Sequence, residues 1–233
     1  MKTAPRTPAP ARLPARASLP NEVASYIREL ILSGTLRPGE NVRLETVAEA
    51  QQVSLTPVRE AVNILERDGL VTAVPRRGFV VTAISRKDVI DLFWAEGRLA
   101  GELAARAAVL IDDEGLERLE AAMRACDDAV ARGDAEACGA HGTRFHQIIN
   151  RAAQSDRLAR LLGRIVSQLP DHFYVSIQAN VQTAPSQHHD LFRAIADSDP
   201  ERARHAAEVH MRSHADNVVD LLEQRGLWDD APA

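Results

Sequence analysis

The stretch from residue 54 to residue 82 constrains the fold more than any other part of the chain. Residues 54–57 read Ser-Leu-Thr-Pro, which offers a hydroxyl cap at Thr56 and then proline at the first helical position, where its missing N–H costs nothing. The residues that recur at the spacing of a buried helix face are Val58, Ala61, Val62 and Leu65. Two β-branched-rich runs, 70–74 and 78–82, follow the stop at Asp68-Gly69 and predict a β-hairpin.

Two shorter helical patterns precede this stretch. Apolar residues from Val23 to Ile31 fall on one helical face, and Ser33-Gly34 stops the run. A second pattern from Leu44 to about Ala50 also turns its apolar residues to one side. The order helix, helix, helix, hairpin predicts a winged helix-turn-helix over residues 18–84.

Beyond Ser85 the strand signals disappear. The helical stretches that follow are predicted at about 86–110, 113–132, 134–153, 155–180 with a break at Pro170, 185–198 and 200–225. A helical bundle over residues 85–228 is the economical interpretation, and the fold class is therefore mostly α.

The charges and histidines divide the chain in the same place. Residues 1–85 carry 11 Lys and Arg against 8 Asp and Glu, whereas residues 86–233 carry 17 against 25. All eight histidines lie in the second part. Residues 1–17 are rich in Pro, Ala and Arg and have too little apolar surface to offset the entropy of ordering, so they are expected to form a mobile arm.

Several classes of protein are disfavoured by composition. The chain is 45% hydrophobic and 26% charged, and no uninterrupted apolar run reaches membrane length. The first residues contain no apolar stretch that would mark secretion, so a cytoplasmic location is expected. Two cysteines without CxxC spacing agree with a reducing compartment.

The third helix and the hairpin carry the donors that DNA recognition needs. Arg59 and Asn63 are predicted to point outward, where they can enter a major groove. The hydroxyls of Ser54 and Thr56 lie at the helix start, where a phosphate can bind. The hairpin tip adds a backbone or minor-groove contact through Arg76, Arg77 and Gly78. A winged helix used for protein contact is the alternative.

These segments resemble the DNA-binding domain of the GntR family of bacterial transcription regulators. The similar stretches are residues 53–61 (VSLTPVREA), 65–70 (LERDGL) and 75–80 (PRRGFV). The helical part, with Phe145-His146 and later histidines, is similar to the FadR-type branch and its ligand-binding domain, called FCD. In that family an arginine is frequent at the position of Leu55 and another occurs near Glu45, so a shifted operator sequence is expected here.

Four of the histidines are predicted to point into the bundle. His188 shares a helical stripe with Leu191 and Ile195, and His210 and His214 share a face of the last helix. His146 follows Phe145 and fits the interior as well. The histidines expected on helix flanks are His189 and His205.

Inward imidazoles on three helices can converge on a divalent metal of the Zn²⁺ or Ni²⁺ type. The resemblance implies the ligands His146, His188 and His210, together with a carboxylate four residues before the first histidine. That position is Gly142. The missing ligand could come from His141, His214, Glu96 or the effector. The other interpretation is three core histidines that hydrogen-bond without metal.

Glu96 is unexpected on the inward stripe of the first bundle helix, where the family more often has an arginine. Four roles are open for it: ligand to the metal, ion-pair partner of an inward Arg144, partner of an effector with a positive or hydroxyl group, or wet surface residue. Together with Arg144, His141 and His214, Glu96 forms the predicted effector-binding set.

The sequence predicts a homodimeric transcription regulator that binds double-stranded operator DNA. The resemblance implies repression relieved by a small metabolite, often an organic acid, bound in an effector-binding and dimerisation domain. No catalytic motif and no membrane partner are expected. Two alternatives remain, namely a regulator that senses the metal itself and a helical-bundle metalloenzyme.

Overall fold

The computed structural model of the chain describes residues 18–169 and 184–228. The predicted arm at residues 1–17 and the predicted break at Pro170 lie outside these ranges. The first part, here called the winged-helix unit, consists of α1 (Leu19–Leu32), α2 (Leu44–Gln51), α3 (Leu55–Arg67), β1 (Val71–Val74) and β2 (Gly78–Val81). The predicted order of elements is confirmed.

Helix α3 begins earlier than its sequence predicted. Ser54 occupies the N-cap position and Leu55 is the first helical residue, so Thr56 and Pro57 are the second and third. The prediction that Thr56 caps the helix and that Pro57 is its first residue is therefore wrong. The first four N–H groups of a helix have no partner within it, so proline is tolerated anywhere in this turn and does not fix the start.

The predicted hairpin is confirmed, and its two strands are antiparallel. Val71 faces Val81 and Val74 faces Gly78, with a three-residue loop between the strands. The sequence did not predict that residues 39–42 run beside β2, where the Val42 N–H donates to the Phe79 carbonyl at 2.9 Å. This added backbone pairing attaches the hairpin to the helices.

One apolar core holds the winged-helix unit together. The buried side chains of α1 and α3 meet in it with those of the hairpin, because each helix presents one apolar stripe. Val58, Ala61, Val62 and Leu65 are all fully buried. The opposite face of α3 is consequently free to meet another molecule.

The second part, here called the helical unit, consists of α4 (Arg86–Leu110), α5 (Asp113–Ala131), α6 (Ala135–Ala152), α7 (Asp156–Val166), α8 (Ala184–Ala196) and α9 (Pro200–Gln224). The long helices α4 and α9 pack closely against each other. Gly101 allows this contact, since a Cβ there would lie 3.1 Å from the Arg204 carbonyl oxygen. The helix predicted over 155–180 ends at Val166, and residues 170–183 lie outside the described chain.

The two units share an apolar cluster at their junction. Leu32 of α1 packs there with Val89 and Phe93 of α4 and with Val218 and Leu222 of α9. In addition, the Trp228 Nε1–H donates to the Ile84 carbonyl at 2.7 Å. The carboxyl-terminal half of α9 therefore contacts the winged-helix unit directly.

Candidate functional site

The outer face of α3 presents the predicted DNA-contacting side chains. Ser54, Thr56, Arg59 and Asn63 are all exposed, as is the neighbouring Leu55. None of these side chains points into the core, because the buried stripe of α3 lies on the opposite side of the helix. A guanidinium and an amide at this spacing can donate to and accept from base edges in a major groove.

The hairpin tip carries the remaining predicted contacts. Arg76, Arg77 and Gly78 are exposed. Arg76 has a left-handed backbone conformation with φ of 66°, and Gly78 has φ of 78°. The tight turn holds two guanidinium groups at the end of the β1–β2 hairpin, called the wing below, where they can contact a phosphate backbone.

Four histidines lie together inside the helical unit. His146 comes from α6, His188 from α8, and His210 and His214 from α9. Candidate ligand atoms of His146, His188 and His210 all lie within 4.8 Å of one another, and this set is called the trio below. The His210 ring centroid is 4.2 Å from that of His214 and 4.8 Å from that of His188. The prediction that three imidazoles from three helices converge is confirmed.

Two of these rings have no protein partner for their nitrogens. Within residues 18–169 and 184–228, neither ring nitrogen of His188 or of His214 makes a hydrogen bond, and both side chains are almost fully buried. A buried donor or acceptor without a partner costs about 1–3 kcal/mol. Polar atoms in this state are available to bind a ligand.

The cluster is neutral at physiological pH. Burial lowers the pKa of His146 to about 4 and the pKa of His214 to about 3. Burial, and then the neighbouring imidazoles, hold the pKa of His188 and of His210 well below the usual value. Each ring therefore keeps a lone pair, which is the form of histidine that binds a metal.

The trio fits a divalent metal in donor type, and one pair of its nitrogens has the spacing of metal ligands. Tetrahedral zinc with Zn–N bonds of about 2.0–2.1 Å places its nitrogen ligands about 3.3 Å apart. Nε2 of His146 lies 3.2 Å from Nε2 of His210. Gly142 is buried one turn before His146 on α6, so this position supplies no carboxylate oxygen. Three protein ligands would leave a coordination position for another group.

A cavity of about 830 Å³ opens beside the trio. His146 belongs both to the trio and to the cavity wall, which also includes His214 and Glu96. Other polar side chains on this wall are Glu136, Thr143, Gln147, Asn150, Arg151 and Asp156. The cavity is large enough for a small metabolite, and the ring of His146 is accessible from it.

The remaining predicted effector residues fall in different places. Glu96 is buried on the cavity wall, so the interpretation of a wet surface residue is wrong. Arg144 is exposed and lines a separate depression of about 250 Å³. The expectation that Arg144 points inward is also wrong, because its position on α6 is turned away from His146. His141 is half-buried and lies outside the cavity wall.

The flanking histidines behave as predicted. His189 is partly exposed and its Nε2 lies 2.8 Å from the Asp127 carboxylate, while His205 is exposed. The sequence did not reveal Gln187, whose Oε1 lies 3.0 Å from His210 Nδ1. Its side-chain Nε2 donates to Ser213 Oγ at 2.8 Å. Ser213 follows His210 by three residues on one helix, which is the signal that could have drawn attention to this pair.

Comparison with known protein families decides the assignment. The family model described as "Bacterial regulatory proteins, gntR family" matches residues 19–81, and the model described as "FCD domain" matches residues 91–213. The chain belongs to the GntR family. This GntR regulator thus combines a DNA-binding winged helix with an FCD domain, which is an effector-binding domain for small molecules. Among the described residues, no helix is long and apolar enough to cross a membrane.

The similar proteins are also transcription regulators. The HTH-type transcriptional regulator YdhC of Bacillus subtilis is 27% identical over 214 residues, covering 86% of this chain and 91% of YdhC. A probable D-xylose utilization operon transcriptional repressor of Paenarthrobacter nicotinovorans is 26% identical over 216 residues, covering 90% and 95%. The structure of E. coli McbR/YncC has the same fold, with a TM-score of 0.65 at 21% identity, covering 91% of this chain and all of that one.

These comparisons decide between the function classes. The GntR regulator is a DNA-binding transcriptional regulator and not an enzyme, because its family and its relatives are regulators. The alternatives of a metalloenzyme and of a pure metal sensor receive no support from them. The structure adds that the three histidines are placed so that they could form a metal site.

Proposed function

We propose that this GntR regulator represses transcription as a homodimer on operator DNA, and that a small organic acid bound beside a metal in the FCD cavity releases it. The observation that carries the proposal is the double role of His146. This ring lies in the trio and also forms part of the cavity wall. An occupant of this part of the cavity would therefore contact the metal site.

The DNA contacts are assigned to the exposed face of α3 and to the wing. Arg59 and Asn63 would read base edges in the major groove. Ser54 and Thr56, at the start of the helix, would contact a phosphate. Arg76, Arg77 and Gly78 would lie on the backbone or in the minor groove. Two winged-helix units, one from each subunit and related by a two-fold axis, would bind two operator half-sites.

The metal is assigned to His146, His188 and His210. Neutral imidazoles suit Zn²⁺ or Ni²⁺, and the partnerless nitrogens of His188 support the presence of an ion. A bound ion would supply a positive centre that attracts an oxygen of the effector. His214, also without a partner among the described residues, would contact the effector from the cavity wall, and Glu96 would accept a hydrogen bond from a hydroxyl group of the effector.

Helix α9 provides a route from the cavity to the DNA-binding head. It carries His210 and His214 near its middle, and Val218 and Leu222 in the cluster that includes Leu32 of α1. Phe93 belongs to that cluster and its ring centroid lies 6.4 Å from that of His214. An effector that moves α9 would therefore favour one placement of the winged-helix unit over another.

The DNA assignment is tested by Arg59→Ala. We expect operator binding to weaken by about 1–3 kcal/mol if Arg59 contacts a base. Fluorescence anisotropy with a fragment of the regulator's own promoter measures this, and Arg124→Ala, an exposed arginine of α5, is the matched control. Equal affinity of wild type and Arg59→Ala for every fragment would contradict the assignment.

The effector assignment is tested by replacing His188 and His210 together with alanine. We expect the double variant to retain operator binding and to lose release by metabolite extracts, because the metal and one side of the site are gone. The matched control is His205→Ala on the exposed side of α9. If the same extract still released the double variant from operator DNA, these histidines would not belong to the effector site.

A further inference from the structure

We propose that Gln187, held in place by Ser213, is a positioning residue that fixes His210 with its proton on Nδ1 and its Nε2 lone pair facing the trio. The tautomer is a property of the protein without metal. Only its consequence for metal affinity rests on the proposed function. This separation allows the two ideas to fail independently.

Gln187 on α8 makes two hydrogen bonds to α9, one as a donor and one as an acceptor. The Gln187 amide has an acceptor end and a donor end. Its Nε2 donates to Ser213 Oγ at 2.8 Å, which leaves Oε1 turned toward His210, 3.0 Å from Nδ1. An oxygen in that position can only accept, so the proton between the two groups belongs to Nδ1.

The position of this proton determines what the other nitrogen can do. Neutral imidazole carries one proton, so Nδ1–H leaves a lone pair on Nε2 of His210. That nitrogen lies 3.2 Å from His146 Nε2, which in the protein without metal must then act as the donor. The reversed amide would place the proton on Nε2 of His210 and block its lone pair.

The rest of the trio lacks an equivalent support. In the described part of the chain, His188 has no hydrogen bond on either nitrogen, although Phe145 packs against its ring at 4.7 Å. His210 is thus oriented by a hydrogen bond to a polar side chain, whereas His188 is oriented by packing against Phe145. Partners that orient a ligand histidine in this way typically change metal affinity by about 10–100-fold when removed.

The first test is the tautomer of His210 in the wild-type protein without metal. Two-bond ¹H–¹⁵N spectra of histidine-labelled protein distinguish a protonated Nδ1 from a protonated Nε2, and His210→Asn assigns the signals. We expect protonated Nδ1 in wild type and in Gln187→Glu, which keeps the acceptor. Gln187→Leu should lose this preference. Protonated Nε2 in wild type would overturn the proposal.

The second test is the affinity for Zn²⁺, measured by competition with a chelator. Gln187→Leu should bind Zn²⁺ about 10–100-fold more weakly than wild type. Gln187→Glu should bind Zn²⁺ as tightly as wild type, because it keeps the acceptor oxygen. Ser213→Ala should have a smaller effect, and Gln168→Leu, a partly buried glutamine away from the trio, should have none. Equal Zn²⁺ affinity of wild type and Gln187→Leu would overturn the positioning role.

Failure of the proposed metal site has a different signature. A wild-type protein that binds neither Zn²⁺ nor Ni²⁺ would remove the metal from the proposed function. The tautomer of His210 would then decide the role of Gln187 by itself. Circular dichroism of each variant ensures that the comparison is made between folded proteins.

Discussion

The interior of the winged-helix unit and the interior around the histidines follow opposite rules. Among its described residues, the winged-helix unit buries one charged side chain, Arg28, whose Nη2 donates to Asp68 at 2.7 Å while its Nε makes no hydrogen bond. The helical unit buries Glu96 and three histidines, and two of those rings lack partners in the described chain. Apolar burial stabilises a fold, whereas unpaired buried nitrogens destabilise it. The first interior is mainly apolar, and the second retains ring nitrogens of His188 and His214 that no described residue satisfies.

The largest expected loss of stability comes from a substitution in the apolar interior of the winged-helix unit. Leu65→Ala removes a fully buried side chain from the core of the winged-helix unit and should lower the free energy of unfolding by about 2–5 kcal/mol. Operator binding should disappear at temperatures where this unit melts. Thermal unfolding followed by circular dichroism measures the loss.

The control for Leu65→Ala lies on the same helix. Leu55 is 37% exposed, so Leu55→Ala should change stability by only about 0.5 kcal/mol or less. Equal losses for the two variants would mean that α3 does not bury the stripe described above.

The second prediction is a substitution that raises the free energy of unfolding instead of lowering it. His188→Leu replaces two partnerless buried nitrogens by an apolar group of similar size next to Phe145. We expect the variant without metal to be more stable than wild type by about 1–3 kcal/mol, because the desolvation cost of the imidazole is removed. Urea unfolding in the presence of a chelator measures this change.

His205→Leu is the matched control, since His205 is exposed on α9. It should change stability by about 0.5 kcal/mol or less. A His188→Leu variant that is clearly less stable than wild type would show that the ring is satisfied inside the protein, and the contrast between the two interiors would then be lost.

The same contrast explains what could be predicted from sequence. Exposed and buried faces of one helix follow from spacing alone, so the outward Arg59 and the inward His188, His210 and His214 were all predictable. Contacts between helices depend on rotations that spacing does not specify. The missed contact from Gln187 to His210 is of this kind. The wrong placement of Arg144 is not, because two residues on α6 that are two positions apart, such as Arg144 and His146, lie on nearly opposite faces of the helix.

Helix starts were predictable only within a turn. Ser54 and Thr56 are both residues that favour caps, and the proline at position 57 is accepted at several positions of the first turn. The segment at residues 39–42 was missed because its pairing with β2 depends on the tertiary fold and carries no alternation of its own.

The smallest expected effect lies at the connection between the two units. The Ser85 hydroxyl accepts from the Asp88 N–H at 3.1 Å, and the Asp88 carboxylate accepts from the Ser85 N–H at 2.8 Å. Ser85→Ala should therefore cost about 1 kcal/mol of stability at neutral pH. Ser155→Ala is the control, since Ser155 precedes α7 and caps no N–H group within the described residues, and it should cost much less.

The pH dependence of this cap separates it from the buried histidines. Hydrogen bonds from the side chain and the backbone of Ser85 hold the pKa of Asp88 below its usual range. A carboxylate with a lowered pKa in the folded protein stabilises it above the unfolded pKa of about 3.9, and this stabilisation is lost as the pH falls through the folded value. The difference between wild type and Ser85→Ala should accordingly shrink in acid, as measured by urea unfolding at pH 7 and near pH 3. A difference that stays constant would mean that the Asp88 charge takes no part in the cap, and that only the hydroxyl of Ser85 secures the start of α4.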